Sequence, residues 1–146
     1  MNLEWEQDWL QQFNNDLERL MRNYTDTFEY EDMNLGVRIV NDKAKLTQLF
    51  KTFENVDPKA SKHYFNAVRY HGDKRGGALE WTWEIHHTTD FLGLPAAGKT
   101  TTVRGITIHA FDENGKIIVE RSLWDTASLL RQLGLRAPAQ LEFEQV

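Results

Sequence analysis

The chain has no cysteine. Disulfides, thiolate catalysis and cysteine-ligated zinc are thereby excluded. It also has no apolar run approaching the roughly 20 residues that cross a bilayer. Positive charge is in short supply: 17 Lys and Arg stand against 22 Asp and Glu, for a net charge of −5. Electrostatics therefore gives no support for a nucleic-acid partner or an anionic membrane. The opening MNLEWEQDWLQQF is acidic and amphipathic, unlike a secretory signal, so a cytoplasmic location is expected. No internal repeat or low-complexity segment stands out.

What the chain does have is enough apolar content, 40% over 146 residues, for one core and one domain spanning 1–146. Trp5, Trp9, Leu10, Phe13, Leu17, Leu20 and Met21 recur at spacings of three and four, which predicts a helix over 3–22. A short strand is expected over Tyr24–Asp32, with Phe28, Tyr30 and Asp32 on one face. A second helix, capped by Asn41 or Asp42, would bury Leu46, Leu49, Phe50 and Phe53 and stop at Pro58. Strands dominate the second half. His63–His71 alternates weakly and 73–77 is a turn. Ala78–Thr88 places Trp81, Trp83, Ile85 and His87 on one face. Thr101–Phe111 and Lys116–Asp125 form a hairpin through Asn114-Gly115. A last helix spans Ala127–Leu133 and ends at Gly134. Helices followed by antiparallel strands predict an α+β fold: a curved, cone-shaped sheet with N-terminal helices packed on its concave face. Such a cone can hold an apolar pocket.

Gly93–Thr100, GLPAAGKT, matches the phosphate-loop pattern G-x-x-x-x-G-K-[ST]. That motif needs a helix after the loop, because the helix N-terminus holds the phosphate. Here a β-branched run, Thr100 to Ile108, follows and favours a strand. The nucleotide reading is rejected.

The segment from Trp81 to Leu135 resembles the SnoaL-like polyketide cyclase family of the nuclear transport factor 2-like and ketosteroid isomerase-like superfamily. The resemblance rests on Trp83, the Phe91-Leu92-Gly93-Leu94-Pro95 loop with Gly98-Lys99, and Arg104-Gly105. It continues through Gly115-Lys116-Ile117 to Trp124-Asp125 and Leu129-Leu130-Arg131-Gln132-Leu133-Gly134. Family members carry a Gly-x-Pro-x-x-Gly turn here, which accounts for the apparent phosphate loop. The resemblance implies a cofactor-free cyclase or isomerase acting on a small apolar carbonyl compound. It also implies an aspartate at position 125 acting as acid/base in an aldol closure. No organic cofactor or metal is implied.

Read from the residues, Asp125 ends a strand whose same-face neighbours are Leu123, Arg121, Val119 and Ile117. At the wall of an apolar pocket its pKa would rise; alternatively it caps the last helix or pairs with Arg121. His109 lies on the partner strand and could orient the aspartate or bond a carbonyl, but a one-residue slip would turn it outward. Trp81, Trp83 and Trp124 could line a ligand cavity or simply fill the core or a dimer interface. Tyr30 and Asp32 could add polar groups, and Arg121 and His87 complete the pocket candidates. His86 and His87 point to opposite faces, so a shared metal is not expected. The competing reading is a non-catalytic carrier of a small apolar ligand. A homodimer formed through the outer sheet face is expected in either case.

Overall fold

The computed structural model describes residues 1–142. Helix α1, Leu3–Asn15, begins at Asn2, whose side chain accepts a hydrogen bond from Trp5 N at 2.9 Å. The single helix expected over 3–22 is broken. Asp16 adopts an extended φ of −156°, and its carboxylate accepts from Arg19 N to start α2, Leu17–Met21. A short acidic side chain competes for backbone N–H groups, which favours a cap over a helix interior.

Strand β1, Tyr24–Asp32, is followed by β2, Val37–Val40, which periodicity did not reveal because four residues carry too little pattern. Asp42 caps α3, Lys43–Phe50, by accepting from Lys45 N at 3.0 Å, and the helix runs into a 3₁₀ turn over Lys51–Phe53. Strands β3 (Lys62–Asp73), β4 (Gly76–His86), β5 (Thr100–Phe111) and β6 (Ile117–Trp124) and helix α4 (Thr126–Gln132) complete the chain. One six-stranded sheet results, in the order β2-β1-β6-β5-β4-β3. Among the described residues only β1 and β6 pair in parallel. The α+β expectation holds: the sheet is curved and unclosed, with α1 laid across its inner face. Gln11 Nε2 donates to Phe65 O and Gln7 Oε1 accepts from Ala67 N, fastening α1 to β3. Trp9, Leu10 and Phe13 on the facing side of α1 join Phe50, Phe65 and Ile117 in the core. Among the described residues no helix is long and apolar enough to cross a membrane.

The segment that mimics a phosphate loop is a turn entering β5, with no helix behind it. Gly93 and Gly98 have φ of 76° and 80°, and Lys99 Nζ donates to Leu133 O at the end of α4.

Two local features set the geometry of the interior. The first is Gly105 opposite Trp81. A Cβ at residue 105 would lie 2.3 Å from the Trp81 ring, so only glycine lets the indole lie against the β5 backbone. Gly105→Ala is expected to push Trp81 inward and cost about 1–3 kcal/mol, as overpacked cores do. Chemical denaturation would measure it, and a parental midpoint would contradict the packing argument.

The second is a β-bulge in β6. Ala110 pairs with Val119 and Phe111 with Ile117, which leaves Ile118 as an extra residue. One extra residue reverses the alternation of side chains. Ile117 points inward before the bulge, and Glu120, Ser122 and Trp124 point inward after it.

Candidate functional site

The cone encloses a chamber of about 40 Å³. Trp81, Trp83 and Trp124 form walls, with Trp9, Phe13 and Phe65. Among the described residues, polar groups reach it from three strands: Tyr30 and Asp32 on β1, Thr107 on β5, Glu120 and Ser122 on β6. A wider vestibule of about 710 Å³ opens beyond it, and Phe53 and Trp83 border both spaces. The chamber has room for little more than one water by volume. An organic substrate therefore places only a small reacting group there, or moves Phe53 or Trp83.

Glu120 is the centre of the polar wall. Its Oε1 accepts hydrogen bonds from Tyr24 Oη at 2.6 Å and from His109 Nε2 at 3.2 Å. The other imidazole nitrogen, Nδ1, lies 3.0 Å from Glu6 Oε1. Glu6, His109 and Glu120 are 0%, 2% and 2% exposed, so any charge among them is buried and needs a partner. Both ring nitrogens meet carboxyl oxygens, an arrangement that favours the imidazolium, in which both nitrogens donate. Burial alone would lower the His109 pKa, but hydrogen bonds and charge from Glu120 and Glu6 outweigh it and lift it to about 9. Trp9 packs edgewise on the imidazole with ring centroids 4.4 Å apart. Glu120 Oε2 has no bond within the described residues and is left for the chamber.

Asp32 is set differently. Its carboxyl accepts from Trp124 Nε1 at 3.2 Å and from Leu35 N at 2.9 Å. Burial nevertheless raises its pKa, and the nearby charge of Glu120 adds to the rise. Tyr30 is buried between these acids, which keeps its phenol firmly protonated: burial, Glu120 and Asp32 all raise its pKa. Thr107 Oγ1 accepts from Trp81 Nε1 and bonds Ser122 Oγ, both at 2.8 Å, which ties the tryptophan wall to the polar one.

Asp125 must be moved out of the pocket. It is exposed, and its carboxylate accepts from Ser128 N at 2.9 Å as the N-cap of α4. Arg121 is likewise on the outer face, where it pairs with Glu29 at 3.0 Å and Glu31 at 3.8 Å. The cause in both cases is the Ile118 bulge, which exchanges the faces that simple alternation assigns. His87 is buried but lines neither space. It bonds Thr101 Oγ1 at 2.8 Å and packs against Phe91. His109 faces inward but stands behind the chamber wall, against Glu120 and Trp9. Sequence reasoning passed over Glu120, Ser122, Thr107 and Glu6. A bulge two residues before Glu120 leaves no mark in residue type, and Glu6 meets His109 across 103 positions.

No curated protein sequence matches the chain. Several solved structures share its fold. A candidate polyketide cyclase from Pseudomonas putida KT2440 superposes with a TM-score of 0.71 at 20% identity, covering 90% of this chain and 98% of that one. A candidate polyketide cyclase from Xanthomonas campestris pv. campestris gives 0.72 at 16% identity, covering 89% and 94%. A protein of ketosteroid isomerase-like fold from Catenulispora acidiphila DSM 44928, in complex with trimethylamine, gives 0.71 at 14% identity, covering 93% and 96%. The SnoaL-like polyketide cyclase family model matches residues 7–133. With almost the whole cone, its inner wall included, inside that match, the chain belongs to the SnoaL-like polyketide cyclase family.

Proposed function

We propose that the protein is a cofactor-independent cyclase or isomerase that acts on a small, largely apolar carbonyl compound through enolate chemistry in the chamber. The observation that carries this reading is the pairing of Glu120, fixed on one oxygen by His109 and Tyr24, with Asp32, which burial drives toward its neutral form. Two carboxyl groups in one pocket with different surroundings can divide the roles of base, Glu120, and acid, Asp32. Glu120 Oε2 takes a proton from the carbon next to the carbonyl. The C–H electrons form the C=C bond, and the carbonyl oxygen becomes an oxyanion that accepts hydrogen bonds from Tyr30 Oη and the Asp32 carboxyl. Fixed donors aimed at developing charge supply the largest share of such catalysis. The enolate carbon then either attacks a second carbonyl, with Asp32 protonating the new alkoxide, or is reprotonated elsewhere.

The family membership and the cyclase descriptions of similarly folded proteins support the same class. The test is exchange of α-protons for deuterium in simple ketones, followed by mass spectrometry. Exchange at the uncatalysed rate, with the ketone bound, would leave a carrier of the same ligand as the better description.

In the same reading the chain works as a homodimer. The outer sheet face carries Ile106, Ile108 and Leu123 at 48%, 50% and 52% exposure, next to one another on β5 and β6. Adjacent apolar groups of this kind suit a self-complementary contact. Ile108→Asp is expected to convert a dimer to a monomer in light scattering, and a monomeric wild type would refute the dimer.

A further inference from the structure

The vestibule lining includes a buried imidazole, His63, which the chemistry above does not use. Asn55 pins its backbone from both sides: His63 N donates to Asn55 Oδ1 at 2.8 Å, and Asn55 Nδ2 donates to His63 O at 2.7 Å. The ring stacks on Trp83, with centroids 5.7 Å apart and planes 25° off parallel, and meets the Phe53 ring at 88°. Its Nδ1 lies 3.1 Å from Trp83 Nε1. An indole N–H only donates, so Nδ1 must be the acceptor, and the proton of the neutral ring sits on Nε2. Burial first, then the charges of His87 and Lys62, lower the His63 pKa to about 4, so the ring stays neutral. Nε2 has no bond within the described residues and is not among the enclosed unpaired atoms. It is an N–H donor in a space whose apolar wall is Leu35, Val37, Leu49, Phe91 and Leu92 and whose polar rim includes Thr52, Asp57, Lys59, Ser61, Thr89 and Asp90.

The geometry points to a second binding subsite in the vestibule, in which His63 Nε2–H donates to an oxygen of the substrate remote from the reacting carbonyl. The substrate class follows, given the enolate chemistry proposed above: an apolar compound with at least two oxygen functions. One enters the chamber, and the other stays outside Phe53 and Trp83 beside the apolar body. An imidazole held neutral suits a ketone, ester or hydroxyl oxygen, whereas a carboxylate would favour a charged partner.

Calorimetric titration with 2-nonanone, which has one oxygen, and nonane-2,8-dione, which has two, tests this. Wild type is expected to bind the dione roughly fivefold more tightly, the effect of one net hydrogen bond. His63→Leu should bring the ratio to about one, and His63→Gln, which can still accept from Trp83 and donate outward, should restore it. Equal affinities in wild type, failure to bind either compound, or an unchanged preference in His63→Leu overturns the subsite. Nitrogen NMR of the wild-type imidazole needs no variant: it should report the Nε2–H tautomer and a shift at Nε2 with the dione alone. An Nδ1–H tautomer also overturns it. Deuterium exchange into the same dione reads the acid/base chemistry separately. A lost preference with exchange intact removes the subsite alone, and a retained preference without exchange removes the chemistry alone.

Discussion

A His109→Leu chain is expected to lose about 3–5 kcal/mol of folding free energy, the usual penalty when one partner is removed from a buried ion pair. The imidazolium joins Glu6, on the first helix, to Glu120, on the last strand, and among the described residues no other cation pairs with either carboxylate. Leucine fills the volume and strands both acids. Against a total stability of about 5–15 kcal/mol for an ordinary domain, that is a large share. Adding Glu6→Gln to His109→Leu should recover part of the loss by removing one stranded charge; a purely steric role for His109 would show no such recovery.

The same group predicts how stability depends on pH. The folded pKa of His109 is about 9, above the roughly 6.5 of a free imidazole. A raised value means that the contribution is complete below about pH 6.5 and is lost as pH climbs through 9. The shift corresponds to about 3 kcal/mol. His63 works in the opposite sense. Its folded pKa is lowered to about 4, so its contribution is complete above about pH 6.5 and disappears as pH falls toward 4. Urea midpoints should therefore peak near pH 6.5. The alkaline decline should vanish in His109→Leu, and the acid decline should shrink in His63→Leu. An alkaline limb that survives in His109→Leu would show that other groups cause it.

Glu120→Gln should reduce α-proton exchange by about 10²–10⁴-fold, the usual contribution of a positioned general base. Affinity for a ketone should change little. The amide oxygen can still accept from Tyr24 and His109, so the shape of the wall persists while the proton acceptor is gone. Tyr30→Phe should cost less, about 10²–10³-fold, because Asp32 remains as a second donor to the enolate oxygen. Asp125→Asn, by contrast, should leave exchange intact, since that side chain faces solvent and serves α4. A loss of exchange in Asp125→Asn with Glu120→Gln active would reverse the assignment.

Much of this architecture could be read from residue order. The tryptophan and phenylalanine spacing in the first helix, the Asp42 cap, the strand carrying Trp81 and Trp83, and the β5–β6 hairpin each have a local cause. The β5–β6 turn was anticipated from Asn114-Gly115, and of the two only Gly115 takes a positive φ, at 75°. Asp112 Oδ1 organises that turn by accepting from Asn114 N and Lys116 N. The inner face of β1, with Tyr30 and Asp32, was also legible, since no bulge intervenes between Phe28 and Asp32. The β6 half of the site was not. Alternation places Arg121 and Asp125 inside, and a single unpaired isoleucine places them outside. Partnerships across long stretches of chain, Glu6 with His109 and Tyr24 with Glu120, depend on how the helix seats in the cone, which no local pattern encodes.

The extra isoleucine bears on how members of the family compare with one another. A relative lacking that one residue, with the rest of the strand unchanged, would keep its acid toward the hollow by plain alternation, two positions after the inward isoleucine instead of three. Single-position gaps in this strand thus separate chains that present the same inner wall from positions offset by one. Matching such chains column by column without the gap would set the acid of one against the wrong residue of the other.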